Sequence, residues 1–223
     1  MLDYQKEIDS FCRDVYIKTA EFPPIRKILG EAFTFEVLMG QPFKEAPVLF
    51  MGYQPGEWRL SPTEARLAGY ETDWVVNGKS QYATEDWMLA KRLRSVFGPN
   101  NLHLLEKSVG LNAIFVRAPN IASYNKALSV ADRKQIQRFC LTQNEDMIRI
   151  IKPKKILTLG FGTMDVFGPS RADLLGNDKR ALTKMGFICE QETLAVRHLT
   201  GARFTASDYQ LTVNRIREFL QLS

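Results

Sequence analysis

Three cysteines, Cys12, Cys140 and Cys189, are spread through 223 residues with no C-x-x-C pair, and only two histidines, His103 and His198, accompany them. That scarcity excludes a disulfide framework and leaves too few ligands at metal spacing for a structural zinc or an iron-sulfur cluster. Neither cofactor nor metal is expected. No apolar run approaches the roughly 18 residues that a bilayer span requires. The opening segment MLDYQKEIDSFCRD is amphipathic and acidic, not basic and then apolar as a secretion signal is. A cytoplasmic protein with reduced, buried thiols is the expectation. Low-complexity tracts and internal repeats are also missing, so disorder explains nothing in this sequence.

What is present is a globular composition, 45% hydrophobic and 25% charged. One hydrophobic core can serve this length, since single cores stop growing only near roughly 250 to 300 residues. A single domain over residues 1–223 is expected, with an N-terminal helical extension at about 1–30. Thirty lysines and arginines against 25 acids leave a net charge of +5, which favours an anionic partner without naming it.

Apolar residues Tyr4, Ile8, Phe11, Cys12, Val15 and Tyr16 recur on one helical face, and Pro23-Pro24 stops that helix. The run Pro47 to Gly52 is continuous, apolar and closed by glycine, as a strand covered on both faces is. Leu111 to Val116, Lys155 to Gly160 and Thr193 to Val196 repeat the theme, which places Leu49, Ile114, Leu157 and Ala195 in four strands. Helices are predicted over Thr84–Phe97, Asp132–Ile151 and Asp208–Leu220. Strands separated by helices of this length need long crossovers, so the expected fold is an α/β/α sandwich with a central, mainly parallel four-stranded sheet. Ligands in such sheets bind beyond the carboxyl ends of the strands, which directs attention to residues 52–56, 117–120, 160–163 and 197–201.

Those loops carry recognisable sequences. Gly52-Tyr53-Gln54-Pro55-Gly56 follows the first strand; Asn112-Ala113-Ile114-Phe115-Val116-Arg117-Ala118-Pro119-Asn120 forms and leaves the second. Ile151-Lys152-Pro153-Lys154 leads into a strand ending Leu159-Gly160, and Arg197-His198-Leu199-Thr200-Gly201 follows the last. In this order and context they resemble the motifs of the uracil-DNA glycosylase superfamily, nearest in pattern to its bacterial and archaeal iron-sulfur branch. The resemblance covers about residues 46–205. It implies a DNA glycosylase that hydrolyses the N-glycosidic bond of uracil or a related deaminated base in base excision repair, acting on DNA with a flipped-out base. Three departures stand out. Cys140 is the single cysteine at a corresponding position, Gln54 stands where active relatives carry Asp or Asn, and Leu199 replaces a proline.

Such hydrolysis has to hold the base, stabilise negative charge on it as it leaves, and place water beside the sugar. Asn112 carries a carboxamide that donates and accepts at once, suited to a base edge, although an Asn at a strand end also serves to satisfy backbone. Tyr53 is a candidate to stack on the base. By the resemblance, His198 donates to a base carbonyl oxygen and Gln54 stands at the water. An amide is a poor general base, so reduced activity is expected there. Gly56, Thr200 and Gly201 let backbone approach a phosphate, and Arg117 and Arg203 are candidates to neutralise one. Gly56 also stands where the strictly uracil-selective branch places a tyrosine, which implies a less selective pocket. His103 reads as a structural or surface residue, and residues 58–80 as a pocket wall or insertion. Two other functions stay open: a non-catalytic nucleic-acid or base-binding protein on the same fold, and an enzyme acting on another nucleotide-like substrate.

Overall fold

A computed structural model describes residues 2–30, 33–55, 79–168, 172–176, 180–200 and 202–223. In chain order the elements are α1 (Leu2–Glu21), α2 (Pro23–Arg26), β1 (Thr34–Phe35), β2 (Leu49–Gly52), α3 (Gln81–Thr84), α4 (Met88–Phe97), α5 (Leu102–Glu106), β3 (Val109–Asn112), β4 (Val116–Arg117), α6 (Ile121–Ala127), α7 (Val130–Ile151), β5 (Ile156–Leu159), α8 (Phe161–Asp165), β6 (Thr183–Ile188), β7 (Gln191–Val196) and α9 (Ala206–Leu220). The main sheet runs β3-β2-β5-β7-β6. Its first four strands are parallel, and β6 pairs antiparallel with β7.

The sheet therefore has five strands where four were predicted. The added strand, β6, carries the sequence TKMGFI, in which Lys184, Gly186 and an exposed Phe187 break the apolar run that marked the others. The placement of Ile114 in the second strand is also corrected. After Asn112 the backbone leaves the sheet, and Val116–Arg117 pairs with Thr34–Phe35 in a separate two-stranded ribbon, so the run from Leu111 to Val116 is divided between two sheets. The helix expected over Thr84–Phe97 is broken by extended backbone at Glu85 and Trp87 into α3 and α4, and Gly98 at φ 68° closes it. Pro23 does end α1, but it also opens α2, where a missing N–H costs nothing in the first turn.

Alternate side chains of the strands enter two cores, as the two-residue period of a strand requires. Leu49, Met51, Val109, Leu111 and Ile156 pack on one face with Ile8, Cys12 and Val15 of α1 and Ile136, Cys140, Met147 and Ile151 of α7. Phe50, Leu157, Leu159, Leu194 and Val196 pack on the other with Leu93, Val96 and Phe97 of α4, Leu105 of α5 and Ile216 of α9. Helix α1 thus supplies wholly buried residues to the main core. Among the described residues, no helix is long and apolar enough to cross a membrane.

Candidate functional site

Strand order decides where a ligand can enter. From β2 the chain crosses to β3 on one side and then to β5 on the other, so the connections diverge at the carboxyl ends of β2 and β5, the place where open α/β sheets form their ligand crevice. Residues 53–55 and 160–163 border that crevice. Gly52 and Asn112 stand in register at its β3 side, and β7 ends beyond Val196 on the other, with His198 two residues further.

Asn112 is 2% exposed. A Cβ at Gly52 would stand 2.8 Å from Asn112 Oδ1, so the absent side chain at Gly52 is what allows the carboxamide to lie across the end of β2. The backbone that carries it is anchored from behind. Asn144, fully buried on α7, donates through Nδ2 to the carbonyls of Asn112 (3.0 Å) and Ala113 (3.3 Å). Asn112 Nδ2 is buried without a hydrogen-bond partner. An orphaned amide donor of this kind costs roughly 1–3 kcal/mol unless a water or ligand answers it.

Two more orphans border the crevice. Gln54 Oε1, in the loop after β2, and Thr163 Oγ1, in the turn after β5, are both buried and without partners. Thr163 is fully buried, and its hydroxyl lies 3.8 Å from the position a Cβ would take at Gly160, whose φ of 121° only glycine adopts readily. The half-buried Tyr53 reaches the same turn, with ring atom Cδ2 4.0 Å from where a Cβ on Gly162 would stand. Gln54, Asn112 and Thr163 are all neutral at physiological pH.

His198 is half-buried, and burial holds its imidazole pKa below the ordinary value, so the ring is neutral at pH 7. Its Nδ1 accepts from the Thr200 N–H at 3.4 Å, with Thr200 Oγ1 at 3.1 Å. With Nδ1 accepting, the ring proton sits on Nε2. Leu199 beside it is buried, filling core.

The phosphate-binding candidates divide. Arg203 and Thr200 are exposed. Arg117 is not available in the same way: its NH2 group donates to Glu36 Oε2 at 2.5 Å, with both side chains mostly buried. Its role is to neutralise a carboxylate whose pKa burial raises and Arg117 lowers. Asn120 caps α6 through the Ser123 N–H. Gly56, Gly201 and residues 58–78 of the expected pocket wall lie outside the described residues. His103 is exposed on α5, and among the described residues no group of three potential ligands could hold a metal ion.

Two polar residues of the site, Thr163 and Asn144, were not singled out in the sequence. Residues 160–163 were flagged by the strand rule, but a threonine in a Gly-Phe-Gly-Thr turn and an asparagine on an amphipathic helix carry no mark of burial in the sequence itself. A groove of about 580 Å³ lies at the opposite, amino edge of β5 and β7, lined by Lys155, Asp173, Glu192, Arg215 and Glu218. Its two cations are both paired with its three acids, Lys155 with Glu192 and Arg215 with Asp173 and Glu218, so no cation is left over to meet an anionic ligand. Compared with protein-family models and with curated proteins, the sequence matches none.

Proposed function

We propose that the chain is a DNA glycosylase acting on uracil or a related deaminated base. The observation that carries this reading is the buried Asn112 carboxamide, seated on Gly52 at the sheet's carboxyl edge with Nδ2 unanswered. A deaminated base carries a carbonyl oxygen where its parent had an amine, and that oxygen accepts from an amide N–H that an amine would repel. Neutral His198 beyond β7 supports the same reading, since an Nε2–H donor stabilises a base leaving as an anion. Gln54 supplies an amide oxygen that can orient a water but cannot take its proton at neutral pH. Turnover slower than a carboxylate would give follows from that.

The absence of a carboxylate at Gln54 favours a second reading, a protein that binds an altered base without cleaving it. Incubation with single- and double-stranded oligonucleotides carrying uracil, hypoxanthine or xanthine, followed by alkali cleavage at abasic sites, separates the two. Strand breaks from the wild type, lost in Asn112→Ala, are the expected outcome. Gln54→Asn is expected to keep or raise turnover, because a misplacement of about 1 Å at a reacting group costs on the order of a hundredfold. Binding without breaks in both the wild type and Gln54→Asn leaves the binding protein as the function.

A further inference from the structure

We propose that the chain self-associates as a two-fold dimer through the outer edge of β6, joining two five-stranded sheets into one. This goes beyond the base-binding reading and does not depend on it. The sheet has two edges, and among the described residues only one is covered. Beside β3, Leu38 bridges Leu111 and the Met39 N–H donates to the Gly110 carbonyl. At the other end, β6 pairs with β7 alone. The Arg197 N–H donates to the Leu182 carbonyl, so Leu182, Lys184, Gly186 and Ile188 face β7. The alternation of an antiparallel ladder then turns the N–H and C=O groups of Thr183, Met185 and Phe187 outward, where no described residue's backbone answers them. The devices that ordinarily block such an edge are missing. β6 contains no proline, and its pairing with β7 runs through six consecutive residues without a bulge. Its one charged side chain, Lys184, is drawn onto α8, 3.7 Å from Asp165 and over the Phe161 ring. Phe187 is 57% exposed.

Register argues for a second copy as the partner. Across a two-fold axis the strand meets itself antiparallel, and only an axis at Met185 pairs all three outward residues with one another. Met185 then faces Met185 of the second copy, and Thr183 faces Phe187 at both ends, a β-branched residue beside an aromatic one. Axes at Lys184 or Gly186 leave one outward residue out, and the first of these sets Lys184 against its own copy. The Met185 register places Lys184 opposite Gly186 instead. Past the strand ends it brings the exposed Arg180 level with the exposed Glu190 of the second copy, twice by symmetry. Within its own chain Arg180 stands 4.0 Å from Asp208 with its side chain 55% exposed, a separation and exposure that hold it weakly. A strand of unrelated sequence would share the backbone bonds but not this match of charge.

Sedimentation velocity on the full chain tests this. A strand edge of six residues is a small interface, so the expected result is a reversible shift from 25.5 kDa toward twice that mass as protein rises to about 100 μM. Phe187→Pro removes an outward N–H, a change that edge strands tolerate, and is expected to abolish the shift while circular dichroism shows the fold retained. Glu190→Arg is expected to weaken the dimer about tenfold by facing Arg180, and Arg180→Glu combined with Glu190→Arg to restore it. A monomer at every concentration would overturn the proposal and leave the edge to a strand of another protein. A dimer unchanged in Phe187→Pro would place the interface elsewhere and overturn it too. Should Phe187→Pro fail to fold, the charge pair decides: restoration in the double variant upholds the β6 register, and no restoration overturns it.

Discussion

A methyl group added at Gly52 would stand 2.8 Å from Asn112 Oδ1, whereas one added at Gly110 would stand 2.8 Å from Met39 Cβ and 2.9 Å from Tyr82 Cε2. The two clashes differ in what has to give. At Gly52 the obstacle is the end of a short side chain, which can rotate, so Gly52→Ala is expected to cost the fold about 1 kcal/mol while displacing the carboxamide and abolishing preference for an altered base. At Gly110 the obstacles are a Cβ and a ring buried against Phe50, so Gly110→Ala is expected to cost about 2 kcal/mol and leave base preference intact. Urea denaturation and oligonucleotide binding on both variants check the pair; the reverse ordering would remove Asn112 from the site. At this scale the sequence was informative about residues at strand ends and silent about burial. Gln54 and His198 were singled out in glycine-marked turns after strands, whereas Asn112 was singled out by its motif alone, since no glycine or proline follows it before Pro119. Thr163 and Asn144 were not, since neither residue type announces burial. Arg117 read as a free cation because its partner, Glu36, lies 81 residues away in sequence.

The hairpin that adds β6 to the sheet turns on two residues, Cys189 and Glu190, with φ of 48° and 66°. A two-residue loop with both central residues at positive φ suits the right-handed twist of its strands, and the second position strongly prefers glycine. Glu190 is exposed and holds the left-handed conformation at a cost of roughly 1–2 kcal/mol. Glu190→Gly is therefore expected to stabilise the protein by about 1 kcal/mol, because relief of that strain exceeds the added entropy of the unfolded chain. A shift of the urea midpoint to higher concentration at unchanged slope would show it; a shift to lower concentration would mean that Glu190 makes a compensating contact. This element escaped the sequence for the reason the hairpin is adjustable: neither asparagine nor glycine stands in the turn, and β6 lacks a continuous apolar run. The parallel strands had both signals. Their runs are covered on two faces, and each ends at or near glycine or a polar turn. The short helix α8 was also invisible, since five residues hold too little periodicity to declare a helix.

Across the whole molecule, the spacing of apolar runs required a parallel sheet, but the order β3-β2-β5-β7 followed only from which faces the helices cover, and many orders satisfy the same pattern. That order decides where charge is useful, and two arginines expected to do the same work now separate. Arg203 is exposed and, among the described residues, forms no ion pair, so it can meet a phosphate at little desolvation cost. Replacing it with alanine is expected to weaken binding to all oligonucleotides alike and to reduce the slope of log affinity against log salt by about 0.7 to 0.9, the share of one phosphate contact, with no change in melting temperature. Arg117 neutralises Glu36 within the protein. Arg117→Ala leaves a mostly buried carboxylate unanswered and is expected to cost on the order of 3 kcal/mol at neutral pH. The sign of its pH dependence follows from Glu36, whose pKa burial already raises and whose lowering by Arg117 is then lost. Between the unfolded value of about 4.3 and that raised value, the folded state binds more protons than the unfolded one, so the variant regains stability as pH falls through the interval. Denaturation curves of Arg117→Ala between neutral and mildly acidic pH test this directly. A deficit that stays constant would show that Glu36 is already protonated in the native protein, and a salt slope lowered in Arg117→Ala without loss of stability would return Arg117 to the phosphate-binding surface.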